Sequence, residues 1–444
     1  MSKTLPEADR GHLPARELKR VAASLDTAQA GMVLHALGCG RCAGLLLAGL
    51  RPRSSAPGMP EPLSAIDFRE IWERASAPPS PPPRLPRLVA LLERSAEQRE
   101  QEVRRLAQGK PWVLAWALLD TARGEGDPAR AEVLARLALV PIDAVPRRLY
   151  PPEQREDLRA LVLAEIAETC RLQAHHDRAA AVLDAAGEAL AKTSLEGEAR
   201  ATYCRRLGRL RQDQKRQEEA LALFARSVAL SEALGRIDLQ AAALIDLGTL
   251  RLELGHLDQA AQTLGAAALL GPHGLAPGVV VHALEGMALA LALHDQLEAA
   301  RHALAFARRQ SAGLPASIPR LDLVRLAGRL ALYAGDLQEA DELLSEAFSG
   351  FQELKAPEPG AVVGVELVGL ALLRRRPTKL APLTAALAQL HEVLPAASQA
   401  VLGGFVAALQ AGAGSIERAR AIADRLERLP WRRFWRLLEE KATP

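Results

Sequence analysis

The sequence predicts an all-α protein, and three observations carry that prediction. The chain of 444 residues contains only 3% aromatic residues, whereas β-sheet domains rely on aromatic and β-branched side chains. Alanine and leucine, which are strong helix formers, are abundant. From about residue 87 onward the apolar residues follow a helical pattern, and this pattern repeats about every 40 residues. We therefore expect successive helical hairpins.

The composition and charge exclude several classes of protein. A hydrophobic content of 49% is too high for a disordered chain. The 56 basic and 53 acidic residues nearly cancel, to a net charge of +3, so we expect no direct binding of nucleic acid or of an anionic membrane. The first twelve residues lack an apolar signal region, and the apolar stretch 33–50 is interrupted by His35, Arg41 and four glycines. We expect a cytoplasmic protein without a membrane span.

Composition divides the chain into three zones. Residues 1–50 contain a cluster of histidine and cysteine, and residues 51–86 form a linker rich in proline and serine. Residues 87–444 carry the repeating helical pattern and end with an aromatic segment, Trp431 to Leu438. We interpret that segment as a helix that caps the last repeat; the alternative is a docking motif.

Small residues define the repeat. Alanines recur in equivalent places near the start of every second predicted helix, at Ala179, Ala220, Ala260, Ala300, Ala340, Ala381 and Ala419. Twelve residues before four of them lies a glycine, at Gly208, Gly248, Gly328 and Gly369. Four residues after most of them lies a bulky side chain, at Leu183, Phe224, Leu264, Leu304 and Leu344. Small residues let two helices approach, and the bulky one fills the space beside them. An additional, earlier unit is expected at residues 112–139, where Asp127 and Pro128 begin the second helix.

This pattern resembles the tetratricopeptide repeat, in which the same small and bulky positions are twelve, four and seven residues apart. The period of about 40 is longer than the 34 residues of that family, which indicates longer helices. The resemblance implies an α-solenoid of about seven or eight hairpins that binds protein partners. The alternative is a generic α-solenoid without a peptide groove.

The sharpest chemical motif is His35-Ala-Leu-Gly-Cys39-Gly-Arg-Cys42. Two thiolates three positions apart can hold one metal ion from a tight turn, and an imidazole four residues earlier can join them. Since Zn²⁺ favours four such ligands, we expect a fourth from nearby, and His12 is the preferred candidate. Release of the metal on oxidation of the thiols is a further alternative.

The motif resembles the zinc-binding domain of bacterial anti-sigma factors. The resemblance implies a small domain of three helices over residues 1–50, one structural zinc held by His12, His35, Cys39 and Cys42, and a sigma factor as a possible partner. Many members of that family carry a membrane-spanning helix, which is not expected here.

Other candidate sites have simpler interpretations. Cys170 and Cys204 are expected to be small core residues on first helices, and His175-His176-Asp177 is expected to be an exposed turn. The sequence contains no catalytic motif, so we expect a protein that is not an enzyme. By analogy with tetratricopeptide repeats, the residues expected to face a binding groove are Arg205, Arg209, Ile245, Leu252, Glu285, Leu289, Arg325, Arg329, Tyr333 and Leu370. The alternative is that many of these belong to the core between repeats.

Together these predictions describe a regulatory adaptor that acts by binding. In one hypothesis the zinc domain acts in anti-sigma-type transcription regulation. In the alternative the chain is a general assembly scaffold or signalling adaptor, in which the zinc domain is only structural. The groove would accept an amphipathic or acidic peptide because it combines apolar and arginine side chains.

Overall fold

A computed structural model of the chain describes residues 88–145, 150–271, 274–312, 318–394, 396–412, 418–419 and 421–422. These residues form one short 3-10 helix, Leu88–Glu93, followed by α-helices, and they contain no β-strand. The α-helices are α1 (Ala96–Ala107), α2 (Pro111–Gly124), α3 (Pro128–Ala144), α4 (Pro152–Leu172), α5 (His176–Leu190), α6 (Glu198–Asp213), α7 (Gln217–Ala233), α8 (Ile237–Glu253), α9 (Leu257–Leu269), α10 (Pro277–Leu293), α11 (Leu297–Ser311), α12 (Ile318–Ala334), α13 (Leu337–Glu353), α14 (Pro357–Leu373), α15 (Pro377–Val393) and α16 (Ala396–Gln410). The prediction of an all-α helical repeat is confirmed for this part of the chain.

The described residues divide into two compact units, and the division falls within α8, between Ala243 and Leu244. The N-terminal unit contains α1 to α7, and the C-terminal unit contains α9 to α16. In each unit the even-numbered helix is the first helix of a hairpin and the next helix is the second. The expected early hairpin is present as α2 and α3, where the Asp127 side chain caps α3 by accepting from the backbone N–H of Ala129 at 2.9 Å.

A left-handed residue marks the turn inside most hairpins. These turn residues have φ between 50° and 84° and lie at Ala174, Lys215, Gly255, Asp295, Gly335 and Arg375. The residue after each one donates its N–H to a carbonyl five positions back, as His175 does to Cys170 at 2.9 Å. This bond satisfies a carbonyl at the end of the first helix, and the left-handed residue reverses the chain into the second helix. The repeat of about 40 residues is therefore visible in the backbone as well as in the side chains.

The glycine positions allow close packing inside the hairpins. A Cβ atom added at Gly208 would lie 2.7 Å from the ring of Phe224, and one at Gly248 would lie 2.6 Å from Leu264. Both distances are too short for real atoms, so the bulky side chain occupies the space that the glycine leaves. Since Phe224 and Leu264 are buried, the packing predicted from the spacing of small and bulky residues is confirmed.

One repeat departs from the predicted register. Ala179, Ala220, Ala260, Ala300, Ala340 and Ala419 are fully buried, but Ala381 is exposed. The second helix of that hairpin, α15, contains an internal proline at Pro382 and buries Thr384 and Leu387 instead. A Cβ atom at Gly364 of α14 would lie 2.7 Å from Leu387. The alanine pattern therefore placed this helix in the wrong rotation, because alanine is also common on exposed helix surfaces.

Three of the sequence predictions fall outside the described residues. They are the zinc domain with His12, His35, Cys39 and Cys42, the linker at 51–86, and the aromatic segment from Trp431. Within the described part, no helix is long and apolar enough to cross a membrane.

Candidate partner-binding face

The first helices of the N-terminal unit are joined by a continuous set of ion pairs. Its centre is Glu168 on α4, whose carboxylate accepts from Arg171 of the same helix at 3.0 Å. Two arginines of the next first helix, α6, also reach it: Arg209 at 2.6 Å and Arg206 at 3.2 Å. One carboxylate thus binds three guanidinium groups and ties α4 to α6.

A second carboxylate, Glu165, extends the set to α2. Arg123 near the end of α2 donates to Glu165 at 3.0 Å, and Arg206 donates to its other oxygen at 2.7 Å. Arg123 also lies 3.4 Å from Glu198, at the start of α6. Arg171 of α4 completes the set by donating to Asp213 of α6 at 2.8 Å. We call this surface the arginine–carboxylate face, and its members are Arg123, Glu165, Glu168, Arg171, Glu198, Arg206, Arg209 and Asp213.

The two signs of charge lie at different depths on this face. The side chains of Glu165, Glu168 and Asp213 are 9%, 8% and 7% exposed. The side chains of Arg123 and Arg209 are 29% and 26% exposed, whereas those of Arg171, Arg206 and Glu198 are 17%, 13% and 16% exposed. Three carboxylates are therefore more buried than the arginines that pair with them, and the two most exposed side chains among these residues are basic.

The arginines keep the buried carboxylates ionised. Burial opposes ionisation of Glu168, but Arg206, Arg171 and Arg209 outweigh it and hold the pKa of this carboxyl well below its usual range. Burial likewise opposes ionisation of Glu165, and Arg206 and Arg123 lower its pKa below the ordinary value. At neutral pH Glu165 and Glu168 are thus ionised.

In the C-terminal unit the corresponding arginines are buried. Arg329 of α12 is 2% exposed and donates its Nε to Glu366 of α14 at 2.8 Å. Arg325 is 8% exposed and lies 3.3 Å from Asp322. Tyr333, one turn further along α12, is also buried, and burial raises the pKa of its hydroxyl far above the usual value. The Arg329–Glu366 pair thus joins two neighbouring first helices within the core, whereas the Arg325–Asp322 pair lies within α12.

The remaining groove candidates divide between core and surface. Leu252, Leu289 and Leu370 are buried, as the alternative interpretation of core residues between repeats expects. Ile245 and Glu285 are half-buried. The exposed His282 lies 3.8 Å from Glu285, which raises the pKa of its imidazole. Of the predicted groove arginines, only Arg205 and Arg209 combine a first-helix position with partial exposure.

Of this network only Arg209 was predicted from the sequence, although the sequence carries a signal for the other charge pairs. Glu165 and Arg206 are 41 residues apart, and so are Glu168 and Arg209. Arg171 and Asp213 are 42 residues apart. Opposite charges separated by one repeat period face each other on adjacent first helices, so a search for charge pairs at that spacing finds them.

Some of the other candidate motifs lie within the described residues. His175 and His176 are exposed at the turn before α5, as predicted, and Cys170 and Cys204 are buried on first helices. In the part of the chain that the structure describes, no group of three or more His, Cys, Asp or Glu side chains could hold a metal ion. The predicted zinc ligands lie outside that part.

Comparison with known proteins identifies the fold. No protein-family model matches the sequence, and no curated protein matches it either. Among solved structures, Rap protein complexed with competence and sporulation factor aligns with 73% of this chain and 85% of its own, with a TM-score of 0.52 and 13% identity. This chain therefore has a tetratricopeptide-like helical-repeat fold.

Two further structures are similar at lower scores. Yeast Tom70 aligns with 96% of this chain and 85% of its own, with 14% identity and a TM-score of 0.47. BtubC from P. vanneervenii aligns with 51% of this chain and 91% of its own, with 21% identity and a TM-score of 0.41.

Proposed function

We propose that this chain is a non-enzymatic adaptor that binds an acidic, partly apolar segment of a protein partner on the arginine–carboxylate face. The observation that carries the proposal is the layering of charge, in which partly exposed guanidinium groups lie above buried carboxylates. Partner carboxylates can approach the outer edges of the arginines, while the inner edges stay fixed by Glu165 and Glu168.

The rigidity of this face favours binding. Arg206 and Arg209 are held in place by carboxylates 2.7 Å and 2.6 Å away, so less side-chain entropy is lost when a partner binds. The fold supports a polypeptide partner, because Rap protein, which shares it, is complexed with competence and sporulation factor. A helical-repeat scaffold that presents first-helix side chains is suited to such a ligand.

A binding experiment with defined peptides tests the proposal. The probe is a short labelled peptide rich in Glu and Leu, and the reference is the same peptide with Gln in place of every Glu. We expect the full chain to prefer the acidic peptide, and the preference to weaken as salt is raised. Equal affinity for the two peptides would contradict the proposal.

Charge variants locate the interaction. The double variant Arg205→Glu with Arg209→Gln is expected to weaken binding of the acidic peptide about tenfold. Arg308→Glu, on the exposed surface of the second helix α11, is the matched control and is expected to change nothing. Reversal of Arg325 or Arg329 is unsuitable, because their side chains are buried and the variants would report folding. Circular dichroism verifies that each variant is folded.

A second function is proposed for residues 1–50 on the basis of the His/Cys motif. We propose that His12, His35, Cys39 and Cys42 hold one structural zinc ion and that this domain contacts a sigma factor. The expected metal content is one zinc per chain, lost in Cys39→Ser and retained in Cys204→Ser. A Cys39→Ser variant that keeps its zinc would remove the metal assignment. Sigma factor that copurifies equally well after deletion of residues 1–50 would remove the partner assignment.

A further inference from the structure

A dense group of cations lies at the turn between α14 and α15 of the C-terminal unit. The loop that joins these helices consists of Arg374, Arg375 and Arg376, and Lys379 follows in the first turn of α15. A buried carboxylate, Asp341 of α13, pairs with this group, and its side chain is 8% exposed. We call the four basic residues the turn cluster.

Three cations of the turn cluster converge on Asp341. Its Oδ2 atom lies 3.0 Å from Nη1 of Arg374, 3.5 Å from Nη1 of Arg376 and 2.6 Å from Nζ of Lys379. Three cationic nitrogens therefore lie within 3.5 Å of one oxygen atom. Since one carboxylate carries a single negative charge, the four cations keep an excess of three positive charges.

The neighbouring acidic residues do not offset this excess. Glu339 and Glu342 also lie on α13, but within the described residues neither forms an ion pair with the turn cluster. Glu342 accepts instead from the side chain of Gln338 at 2.6 Å. Because like charges held this close repel one another, the turn cluster destabilises the folded chain unless an anion neutralises it.

The members of the turn cluster differ in how accessible they are. The side chain of Arg374 is 14% exposed and also donates to Oε1 of Gln338 at 2.8 Å, so it is fixed within the fold. The side chains of Arg376 and Lys379 are each 43% exposed. Arg375 is exposed, and its guanidinium group has no partner in the described structure. Three of the four cations can therefore donate to a ligand at the surface.

We propose that Arg375, Arg376 and Lys379 bind a phosphorylated side chain of a protein partner. A phosphate monoester carries a charge of about −1.5 to −2 at pH 7 and presents three strong acceptor oxygens. It therefore neutralises more of the excess charge than a carboxylate does, and guanidinium groups can bind it through paired hydrogen bonds. This site belongs to the C-terminal unit, so it is separate from the arginine–carboxylate face of the N-terminal unit.

The experiment measures the binding of labelled peptides to the full chain by fluorescence anisotropy. The probe is an otherwise uncharged peptide with one phosphoserine, and the reference peptides carry serine or glutamate at the same position. We expect the phosphoserine peptide to bind about fivefold more tightly than the glutamate peptide, and the serine peptide to bind more weakly than both. Equal affinity for the phosphoserine and serine peptides would overturn the proposal.

Variants of the turn cluster locate the site. The double variant Arg375→Gln with Arg376→Gln is expected to weaken binding of the phosphoserine peptide about tenfold. Arg308→Gln, on the exposed surface of α11 in the same unit, is the control and is expected to leave the affinity unchanged. Circular dichroism verifies that both variants are folded. If the double variant binds the phosphoserine peptide as tightly as the wild type, or if the control weakens binding equally, the assignment to the turn cluster is wrong.

Two further ligands separate this proposal from other interpretations. The Glu/Leu peptide used to test the proposed function should bind the double variant as it binds the wild type, so the two sites can fail independently. A single-stranded DNA oligonucleotide tests for a different class of partner. If it binds the wild type more tightly than the phosphoserine peptide does, and loses that binding in the double variant, the turn cluster binds nucleic acid and the proposal is overturned.

Discussion

At the scale of single residues, Glu168 is the most connected side chain of the arginine–carboxylate face. Its pKa is held well below the ordinary value of 4.5, so its contribution to stability is present above that value and is lost as the pH falls. We expect Glu168→Gln to lower the free energy of unfolding by about 2 kcal/mol at pH 7, because three arginines lose a charged partner. Urea denaturation followed by circular dichroism measures the change.

The matched control is Glu188→Gln on α5. Glu188 is exposed, and substitutions at such positions usually change stability by less than about 0.5 kcal/mol. If the two variants are equally stable, the network contributes no stability and the layered description of the face is wrong.

The contribution of Asp157, on α4, to stability depends on pH in the opposite direction to that of Glu168. Burial raises its pKa to about 7, Glu198 adds to the rise and Arg200 opposes it. Since this pKa lies above the ordinary 3.8, the stability that the group provides is complete below about pH 4 and is lost as the pH approaches 7. Its Oδ1 atom is buried and finds no hydrogen-bond partner in the described structure.

We therefore predict that Asp157→Asn stabilises the chain at pH 8, by on the order of 1 kcal/mol or more. The gain is expected to shrink as the pH is lowered to 5, because the wild-type carboxyl then becomes neutral. Thermal unfolding across this pH range measures it, with Asp184→Asn on the exposed surface of α5 as the control. A gain in stability that does not vary with pH would contradict the raised pKa of Asp157.

At the scale of elements, the hairpin turns show how much the sequence could predict. The turns at Gly255 and Gly335 were visible from the glycines. Ala174, Lys215 and Arg375 adopt the same left-handed conformation without any favourable residue type, so only the repeat period could locate them. The exposed Ala381 shows the converse, since a favourable residue type at the right spacing did not fix the rotation of α15.

The left-handed turn residues allow two predictions of opposite sign for the stability of the chain. A non-glycine residue in the left-handed region costs about 1 kcal/mol or more, so Lys215→Gly is expected to stabilise the chain by somewhat less than that, because glycine is more flexible when unfolded. Gly335→Ala, at φ 84°, is expected to destabilise it by about 1 kcal/mol. Denaturation midpoints compare the two variants, and changes of the same sign would contradict the shared turn geometry.

Close packing of helices at the glycines can also be tested by comparing the denaturation midpoints of variants. Gly208→Ala would place a Cβ atom 2.7 Å from the Phe224 ring, and we expect a loss of roughly 1–3 kcal/mol from overpacking. A second substitution, Phe224→Leu, is expected to recover part of that loss. Gly404→Ala on α16 meets no atom within 4 Å, so it is expected to be neutral or to stabilise by up to about 1 kcal/mol. Equal losses at the two glycines would show that the close approach in α6 is not real.

At the scale of the whole molecule, the period of about 40 residues organises both packing and charge. The spacing of small and bulky residues sufficed to predict the hairpins, because helix packing depends on local volume. Of the arginine–carboxylate face only Arg209 was predicted, because the pairing of Glu165 and Glu168 with α6 depends on contacts between repeats. Whether an arginine points to solvent or into the core, as Arg329 does, depends on its partner one repeat away.

The most direct test is to locate the bound acidic peptide by hydrogen–deuterium exchange of the full chain. If the arginine–carboxylate face binds it, amides of α4 and α6 become protected when the Glu/Leu peptide is added, and the Gln/Leu peptide leaves them unchanged. The second helices α5 and α7 should change less, since the members of the face lie on first helices. Binding that protects only the C-terminal unit, or that protects the second helices instead, would contradict the account.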